Sequence, residues 1–242
     1  LERLLPLSIS LAVTPGSSRR RLWYISSAAI LLLTTILTFS RGAWLLGIPA
    51  GLLVVGLLQG KRSRRYVLAG LAVLAVCCVP LFRTERFSSL LNLQSGTSFL
   101  RLQLWQASWA MIRDHFWTGV GLDNFLYYYG DYILPGAEIE RWLSHPHNII
   151  LDLWVRTGLI GLVLYMGAFL TAVLPTLRAL THSSALKNPV TIGMLGALAA
   201  ALAHGLIDNA IFVPELAYGL LFMLAYLVHA STPLPPSGEC PE

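Results

Sequence analysis

The stretch IILDLWVRTGLIGLVLYMGAFLTAVL, residues 149–174, decides the fold class of this chain. It holds one acid, Asp152, and one base, Arg156, in an otherwise uncharged run. Since about 20 apolar residues cross the hydrocarbon core of a bilayer as a helix, this stretch predicts a membrane span. Asp152 precedes Arg156 by four residues, which favours an ion pair on one helix face and a structural role for both side chains.

Apolar runs of similar length recur along the chain. They cover residues 22–39, 43–59, 66–82, 190–207 and 216–230, and a shorter run covers residues 1–13. That first run is too short to cross a bilayer. We expect a membrane helix whose beginning is missing, and the alternative is a helix that lies in the membrane interface. The pattern predicts an all-α fold, a polytopic transmembrane helix bundle of about six to seven spans with one long external loop.

The composition agrees with a membrane protein. Hydrophobic residues make up 55% of the chain and charged residues only 12%, whereas a soluble domain carries about 25% charged residues. Intrinsic disorder is excluded, because it requires low hydrophobicity and high charge. The net charge of +5 lies in short clusters between apolar runs. That distribution argues against a nucleic-acid partner and for contact with membrane lipids.

The basic residues orient the bundle. Residues 14–21, 60–65 and 175–189 hold nine of the seventeen basic residues and no acid, so the positive-inside rule places these loops in the cytoplasm. The long loop then lies outside, which in a bacterium is the periplasmic or external face of the inner membrane. The predicted divisions are transmembrane helices in residues 1–82, an external loop with active-site elements in 83–148, transmembrane helices in 149–230 and a disordered cytoplasmic tail in 231–242.

Within the external loop, residues 100–113 predict an amphipathic helix capped by Thr97 or Ser98. Its apolar stripe comprises Leu102, Trp105, Trp109 and Ile112 at helical spacing. Its polar residues, expected on the opposite face, are Arg101, Gln103, Gln106 and Arg113. A helix with such a stripe is expected to lie in the plane of the membrane interface.

Three arginines on the predicted external side stand apart from the cytoplasmic clusters: Arg41, Arg101 and Arg113. A guanidinium stays protonated at any working pH and grips phosphate oxygens with two parallel hydrogen bonds. These arginines are therefore candidate ligands of a phosphate. The alternative for each is that its side chain extends to the lipid headgroups.

The tetrapeptide His145-Pro146-His147-Asn148 ends the external loop. A partly desolvated histidine can stay neutral, as a base that accepts a proton from a hydroxyl must be. Two close histidines also suit a metal, but the sequence shows no third ligand at a fixed spacing. His204 and Asp208, four residues apart near the external end of the run 190–207, are further candidates. A purely structural role stays open for all four ionisable side chains.

In their order along the chain, these motifs resemble the O-antigen ligase and polymerase superfamily. Its signature is similar to Ser40-Arg41-Gly42, to Arg101-Leu102-Gln103-Leu104-Trp105 and to Gly119-Val120-Gly121-Leu122-Asp123-Asn124-Phe125. Most specific is His147-Asn148 followed by nine residues and Gly158-Leu159-Ile160-Gly161. Asp208-Asn209 between the last two apolar runs is similar too. The resemblance covers residues 1–230, as the C-terminal portion of a longer protein.

The resemblance implies a glycosyltransferase that moves a glycan from undecaprenyl diphosphate to the hydroxyl of a glycan or lipid acceptor, with inversion and with neither metal nor cofactor. Arg41 and Arg101 would stabilise the diphosphate leaving group, and His147 would be the catalytic base. The substrate-binding residues implied are Arg113, His145, Asn148 and Asp208. Ligase and polymerase are not distinguished, since they differ in acceptor alone.

Two other classes of function stay open on the residues alone. A transporter, of the bicarbonate or flippase type, would use similar helices and charges without making a bond. It should show internal repeats and helices broken at mid-membrane, and no repeat is visible in the sequence. A structural scaffold would not require an ordered set of histidines and arginines.

Overall fold

The computed structural model describes residues 1–79, 92, 94–182, 188–208 and 213–232. Within these ranges the chain is helical and has no strand. The predictions made for residues 83–91, for Asn209 and for nearly all of the tail concern residues outside the described ranges.

The described helices follow the predicted apolar runs closely. They are α1 Leu5–Val13, α2 Ser18–Leu37, α3 Ile48–Leu58, α4 Lys61–Cys78, α5 Gly96–Asp114, α6 Phe125–Tyr132, α7 Ile149–His182, α8 Pro189–Gly205 and α9 Pro214–Ser231. A π-helix, Ala43–Gly47, leads into α3, and a short 3₁₀ helix covers Glu138–Glu140. Several helices begin where the sequence supplies a cap. Ser17 accepts a hydrogen bond from the backbone N–H of Arg20, and Asn188 accepts one from Thr191.

Helix α8 lies at the centre of the bundle. Small residues let neighbouring backbones come close to it: a β-carbon on Gly196 would lie 2.9 Å from the carbonyl oxygen of Gly51 in α3, and one on Gly193 would lie 2.7 Å from Cα of Leu7 in α1. Close approach of this kind is typical of helices that pack within a membrane. The short α1 is therefore a packed element of the bundle.

Two described helices are long and apolar enough to cross a membrane, Ser18–Leu37 and Ile149–Leu180. Two shorter apolar helices cover Ala43–Leu58 and Pro189–Gly205. Helix α2 leaves Leu22, Ile30 and Leu33 more than half exposed, as suits a face that contacts lipid. The chain is thus a helical protein of membrane type, and the count of six to seven spans stays a prediction.

The stretch expected to be one continuous span, residues 149–174, is broken in the structure. Helix α7 is interrupted at Gly158, whose φ of 68° and ψ of −176° lie outside the helical region. The turn Gly119-Val120-Gly121 packs against this break. The N–H of Val120 donates to Val155 O at 2.8 Å, and that of Gly121 donates to Arg156 O at 3.0 Å. Beyond the break, the N–H of Leu159 donates to Phe116 O at 2.9 Å.

Both glycines are required by this junction. Gly119 has a φ of +66°, and a β-carbon on it would lie 2.5 Å from Val155 O. A β-carbon on Gly158 would overlap the backbone of Trp117 and Thr118. The glycines of the two motifs therefore lie at one contact between the turn and α7.

The prediction for helix α5 was wrong in two respects. The helix begins at Gly96 after Ser95, so Thr97 and Ser98 lie inside it. Its buried residues are Leu104, Ala107, Ser108, Met111 and Ile112. They pack on Phe125 and Tyr129 of α6 and on Val155 of α7, and this tertiary contact decides which face is buried. Trp105 and Trp109 instead share a surface with Gln106 and Arg113.

The junction at Gly158 gives a first prediction. Gly158→Ala should destabilise the protein strongly, since the backbone conformation alone costs about 1–3 kcal/mol for a residue with a side chain and the added β-carbon overlaps a neighbouring backbone. Gly167→Ala in the same helix is the matched control: its β-carbon meets nothing within 4 Å, and alanine favours a helix by about 1 kcal/mol over glycine. Thermal unfolding in detergent, followed by size-exclusion chromatography, measures both variants. Equal melting temperatures would contradict the role of the junction.

Candidate functional site

A histidine–aspartate pair forms where α7 begins and α8 ends. Nδ1 of His147 lies 2.8 Å from Oδ1 of Asp208, and the two side chains are 25% and 46% exposed. They are 61 positions apart in the sequence, and the bundle brings them together. The pair is therefore a product of the fold and accessible to a substrate.

Asn148 connects the segments that carry His147 and Asp208. Its Oδ1 accepts hydrogen bonds from the N–H groups of Ile150 and Leu151 and so caps the first turn of α7. Its amide nitrogen donates to Leu206 O at 2.8 Å, two residues before Asp208. One side chain thus links the start of α7 to the segment that carries Asp208.

His147 has a backbone conformation that is uncommon for a residue with a side chain, with a φ of 51°. Such conformations cost free energy and persist where the surrounding structure imposes them, most often at functional sites. Phe39, directly before Ser40-Arg41-Gly42, has a φ of 52°. Both unusual residues therefore lie in the motifs that carry the candidate chemistry.

The charge of Asp208 defines the proton positions on His147. Burial opposes ionisation of Asp208, but the hydrogen bond from His147, together with the positive charge of Arg101, outweighs it and holds the pKa of Asp208 below its ordinary value. An ionised carboxylate accepts hydrogen bonds and cannot donate them. Nδ1 of His147 must therefore carry the proton, and Nε2 is left with a lone pair that can accept one.

His145 packs beside His147, with ring centroids 4.4 Å apart. Its Nδ1 lies 3.1 Å from the hydroxyl of Ser144. Burial is the largest cause that lowers the pKa of His145, to about 4. His145 is therefore neutral at neutral pH and adds no charge beside the pair.

Arg156 attaches two parts of the chain between α5 and α7 to the first half of α7. Its Nε donates to Asp152 at 2.6 Å, and both side chains are buried. The rest of the guanidinium donates to Leu122 O, to the exposed carboxylate of Asp123 at 3.3 Å and to Ser144 O at 2.8 Å. The structural pair predicted from the sequence is thus present, and it also holds two distant parts of the loop.

The three candidate arginines take different places. The positive charge of Arg101 is among the causes that lower the pKa of Asp208, which places Arg101 within electrostatic range of the pair. Arg41 follows Ser40, whose hydroxyl lies 3.5 Å from Nε2 of His204, one helical turn before Asp208. Arg113 lies twelve residues after Arg101 on α5, about 18 Å along the helix axis, and stacks over Trp109. Among the described residues, no contact joins Arg113 to His147.

The sequence reasoning missed two contacts at this site. Glu2 lies 3.0 Å from Nδ1 of His204, so that His204 joins Glu2 to Ser40. The indole of Trp105 donates to Pro146 O at 3.0 Å, which ties α5 to the histidine motif. No spacing in the sequence relates these residues, and only the packing of α1 and α5 reveals them.

A metal remains chemically compatible with part of the site. His145, His147 and Asp208 each offer a ligand atom, and these atoms lie within 4.8 Å of one another. Asp208 is thus the third ligand that the sequence alone did not supply. Coordination through Nδ1 of His147 would displace the hydrogen bond to Asp208, so the two arrangements exclude each other at that atom.

Comparison with known proteins agrees with the motifs. A family model described as O-antigen ligase matches residues 26–166, more than half of the chain. The O-antigen ligase of Salmonella typhimurium (strain LT2) is 25% identical over 162 residues, which cover 59% of this chain and 37% of that protein. The chain therefore spans well under half the length of this relative. The matched region contains Arg41, Arg101, His147 and Gly158, whereas Asp208 follows it.

The environment of His145 gives a prediction on pH. Its pKa falls from 6.5 to about 4 on folding, so the unfolded chain binds more protons between these values. Stability is therefore lost as the pH falls from about 6.5 toward 4, and it is retained above that window. His145→Gln removes this contribution, and its melting temperature should fall less than that of the wild type between about pH 7.5 and 5. Identical pH dependences would contradict the burial of a neutral His145.

Proposed function

The chain belongs to the O-antigen ligase family, and from that premise we propose that it moves a glycan from undecaprenyl diphosphate to an acceptor hydroxyl. The reaction takes place on the external face of the bacterial inner membrane, beside the loop 83–148. Membership in the family supports a membrane glycan transferase. Ligase and polymerase use the same donor and differ in the acceptor, so both belong to this proposal.

The observation that carries the proposal is the pair of His147 and Asp208. With Nδ1 protonated against Asp208 at 2.8 Å, Nε2 of His147 is the atom that accepts the proton of the acceptor hydroxyl. The oxygen attacks the anomeric carbon of the glycan as that proton leaves. A base in this role typically contributes about 10²–10⁴-fold to the rate. Asp208 thus acts by orienting His147 and by stabilising the imidazolium that forms.

The bond that breaks joins the anomeric carbon to the diphosphate. Its electron pair passes to the diphosphate, which gains negative charge as it leaves. Arg41 and Arg101 bind this leaving group, because a guanidinium offers two parallel donors to phosphate oxygens and keeps its charge. Attack from one face and departure from the other invert the anomeric configuration, and the proton on His147 then passes to solvent.

The remaining residues of the site position these groups. His145, neutral because burial holds its pKa at about 4, packs against His147 without competing for the proton. The side-chain oxygen of Asn148 accepts hydrogen bonds from the first turn of α7, and its amide nitrogen donates to Leu206 O. We therefore assign Asn148 to positioning Asp208 rather than to substrate.

The transporter alternative is not favoured by the position of the helix break. The apolar residues 159–174 follow Gly158 before the basic segment 175–189, and they span about 24 Å of a hydrocarbon core of about 30 Å. The break therefore lies nearer the external end of the span than its middle, whereas transporters place theirs at mid-membrane.

The first test concerns the pair. His147→Ala should lower transfer by about 10²–10⁴-fold while donor binding persists. Asp208→Asn should lower transfer at least about tenfold, since an amide can donate to Nδ1 and favour the wrong tautomer. Asp131→Asn is the control, because Asp131 is an exposed acid of the same loop. The measurement is product formation and donor binding on the same purified variants. Loss of donor binding in His147→Ala would show that the residue is structural or belongs to the donor site.

A chelator separates proton transfer from metal chemistry. Added EDTA should leave the wild-type rate unchanged, because no step of the proposed reaction needs a metal ion. Inhibition that is reversed by zinc or manganese would instead assign His145, His147 and Asp208 to a metal site.

The second test concerns the phosphate ligands. Arg41→Ala and Arg101→Ala should abolish transfer without loss of expression or membrane insertion. Arg101→Lys should recover little activity, because an ammonium cannot make two parallel hydrogen bonds to a phosphate. Arg141→Ala, an exposed arginine stacked on Trp142, should transfer normally. Near-normal turnover of Arg101→Lys would show that charge alone suffices.

A further inference from the structure

An open cleft of about 490 Å³ runs along α5 where it faces the start of α7. Its walls include Trp105, Gln106, Trp109, Ala110, Arg113 and Leu151. The volume is within the range of small-molecule sites, about 300–1,000 Å³. The proton-transfer and phosphate-binding steps proposed above do not use this cleft.

One wall of the cleft is attached directly to the histidine motif. Trp105 lines the cleft, and its indole N–H donates to Pro146 O at 3.0 Å. Pro146 stands between His145 and His147, so Trp105 joins the cleft to the backbone of the histidine motif.

The chemistry of the walls combines rigid aromatic surfaces with planar polar groups. Trp109 is held by the edge of Trp154, at a centroid distance of 5.6 Å, and by the guanidinium of Arg113 at 5.8 Å. Gln106 and Arg113 are exposed beside the two indoles. A pyranose ring matches such walls, because its C–H faces are apolar and its hydroxyl edges accept and donate hydrogen bonds.

The position of the cleft favours a sugar over a polyprenyl chain. Leu151 lies seven residues before the break at Gly158, about 10 Å farther along a helix axis. The apolar residues 159–174 after the break add about 24 Å, so Leu151 lies about 34 Å from the far end of the run, beyond a hydrocarbon core of about 30 Å. Leu151 and the cleft then lie on the aqueous side of that core, where a glycan is found and a lipid tail is not.

We propose that this cleft binds a pyranose ring of the glycan substrate, stacked on Trp105 and Trp109 and hydrogen-bonded by Gln106 and Arg113. This assignment rests on the proposed function, in which donor and acceptor both carry sugars close to His147. Arg113 is then a sugar ligand rather than a third phosphate ligand. Donor and acceptor both contain pyranose rings, and the binding experiment below distinguishes between them.

The test is equilibrium binding to purified full-length protein in detergent, measured by thermophoresis without turnover. Two oligosaccharide probes carry no lipid: lipopolysaccharide core freed of its acyl chains, for the acceptor, and repeat-unit glycan released from the lipid donor. Undecaprenyl phosphate, which carries no sugar, probes the lipid chain. Trp109→Ala removes a stacking surface and Ala110→Trp fills the cleft. Trp142→Ala is the matched control, because Trp142 is an exposed tryptophan of the same loop that does not line the cleft.

Trp109→Ala and Ala110→Trp should each weaken the binding of one oligosaccharide by about tenfold or more. This is the loss expected when an aromatic contact and its hydrogen bonds are removed. Binding of undecaprenyl phosphate should not change, and Trp142→Ala should bind all three probes normally. The oligosaccharide whose binding weakens shows whether the pyranose ring in the cleft comes from the acceptor or from the donor. If the variants weaken the binding of undecaprenyl phosphate alone, the cleft binds the lipid chain and the proposal is overturned. Unchanged oligosaccharide binding, no oligosaccharide binding by the wild type, or loss of all three probes would overturn it as well.

The outcome is independent of the proposed reaction. A wild-type protein that binds an oligosaccharide in the cleft but transfers nothing would contradict the proposed function and leave the sugar site in place. Normal transfer together with unchanged binding in the variants would contradict the sugar site alone.

Discussion

The backbone junction between Gly158 and the turn Gly119-Val120-Gly121 is the constraint on which the segment between α5 and α7 depends. A break in a helix frees carbonyl groups, and a buried carbonyl without a partner costs free energy. Here Val155 O and Arg156 O accept from Val120 and Gly121 at 2.8 and 3.0 Å. The loop that carries this turn thus completes the hydrogen bonding of α7. In return, α7 fixes the position of the loop and of the histidine motif at its own first turn.

Arg156 extends this constraint to both ends of the loop. A buried guanidinium is costly to remove from water unless charges and carbonyls surround it. Asp152 at 2.6 Å and Ser144 O at 2.8 Å, together with Leu122 O, supply that environment. Removing Asp152 would leave a buried charge without its nearest counter-ion. Since Ser144 directly precedes His145, the same group that stabilises α7 also locates the residues of the candidate site.

The sequence predicted the helical class, the positions of the apolar runs and the pairing of Asp152 with Arg156, because these depend on composition and on local spacing. It also singled out His147 and Asp208 separately. Their pairing was not predictable, since 61 positions lie between them and only packed helices bring them together. The buried face of α5 was predicted wrongly because contacts with Phe125 and Tyr129 outweighed its own pattern of apolar residues. The break at Gly158 could not be predicted either, because it depends on the distant backbone of Trp117 and Thr118 that packs against this glycine.

Taken together, these contacts support one chemical account, in which a histidine oriented by Asp208 deprotonates an acceptor while two arginines bind the departing lipid diphosphate. The most direct test is a single reaction of purified full-length wild-type protein with an undecaprenyl diphosphate glycan and its acceptor. Mass spectrometry would count the carrier released, and NMR would assign the anomeric configuration of the product. The account predicts one undecaprenyl diphosphate released for each glycan transferred, with the anomeric configuration inverted. A retained configuration, release of the monophosphate in its place, or no transfer would contradict it.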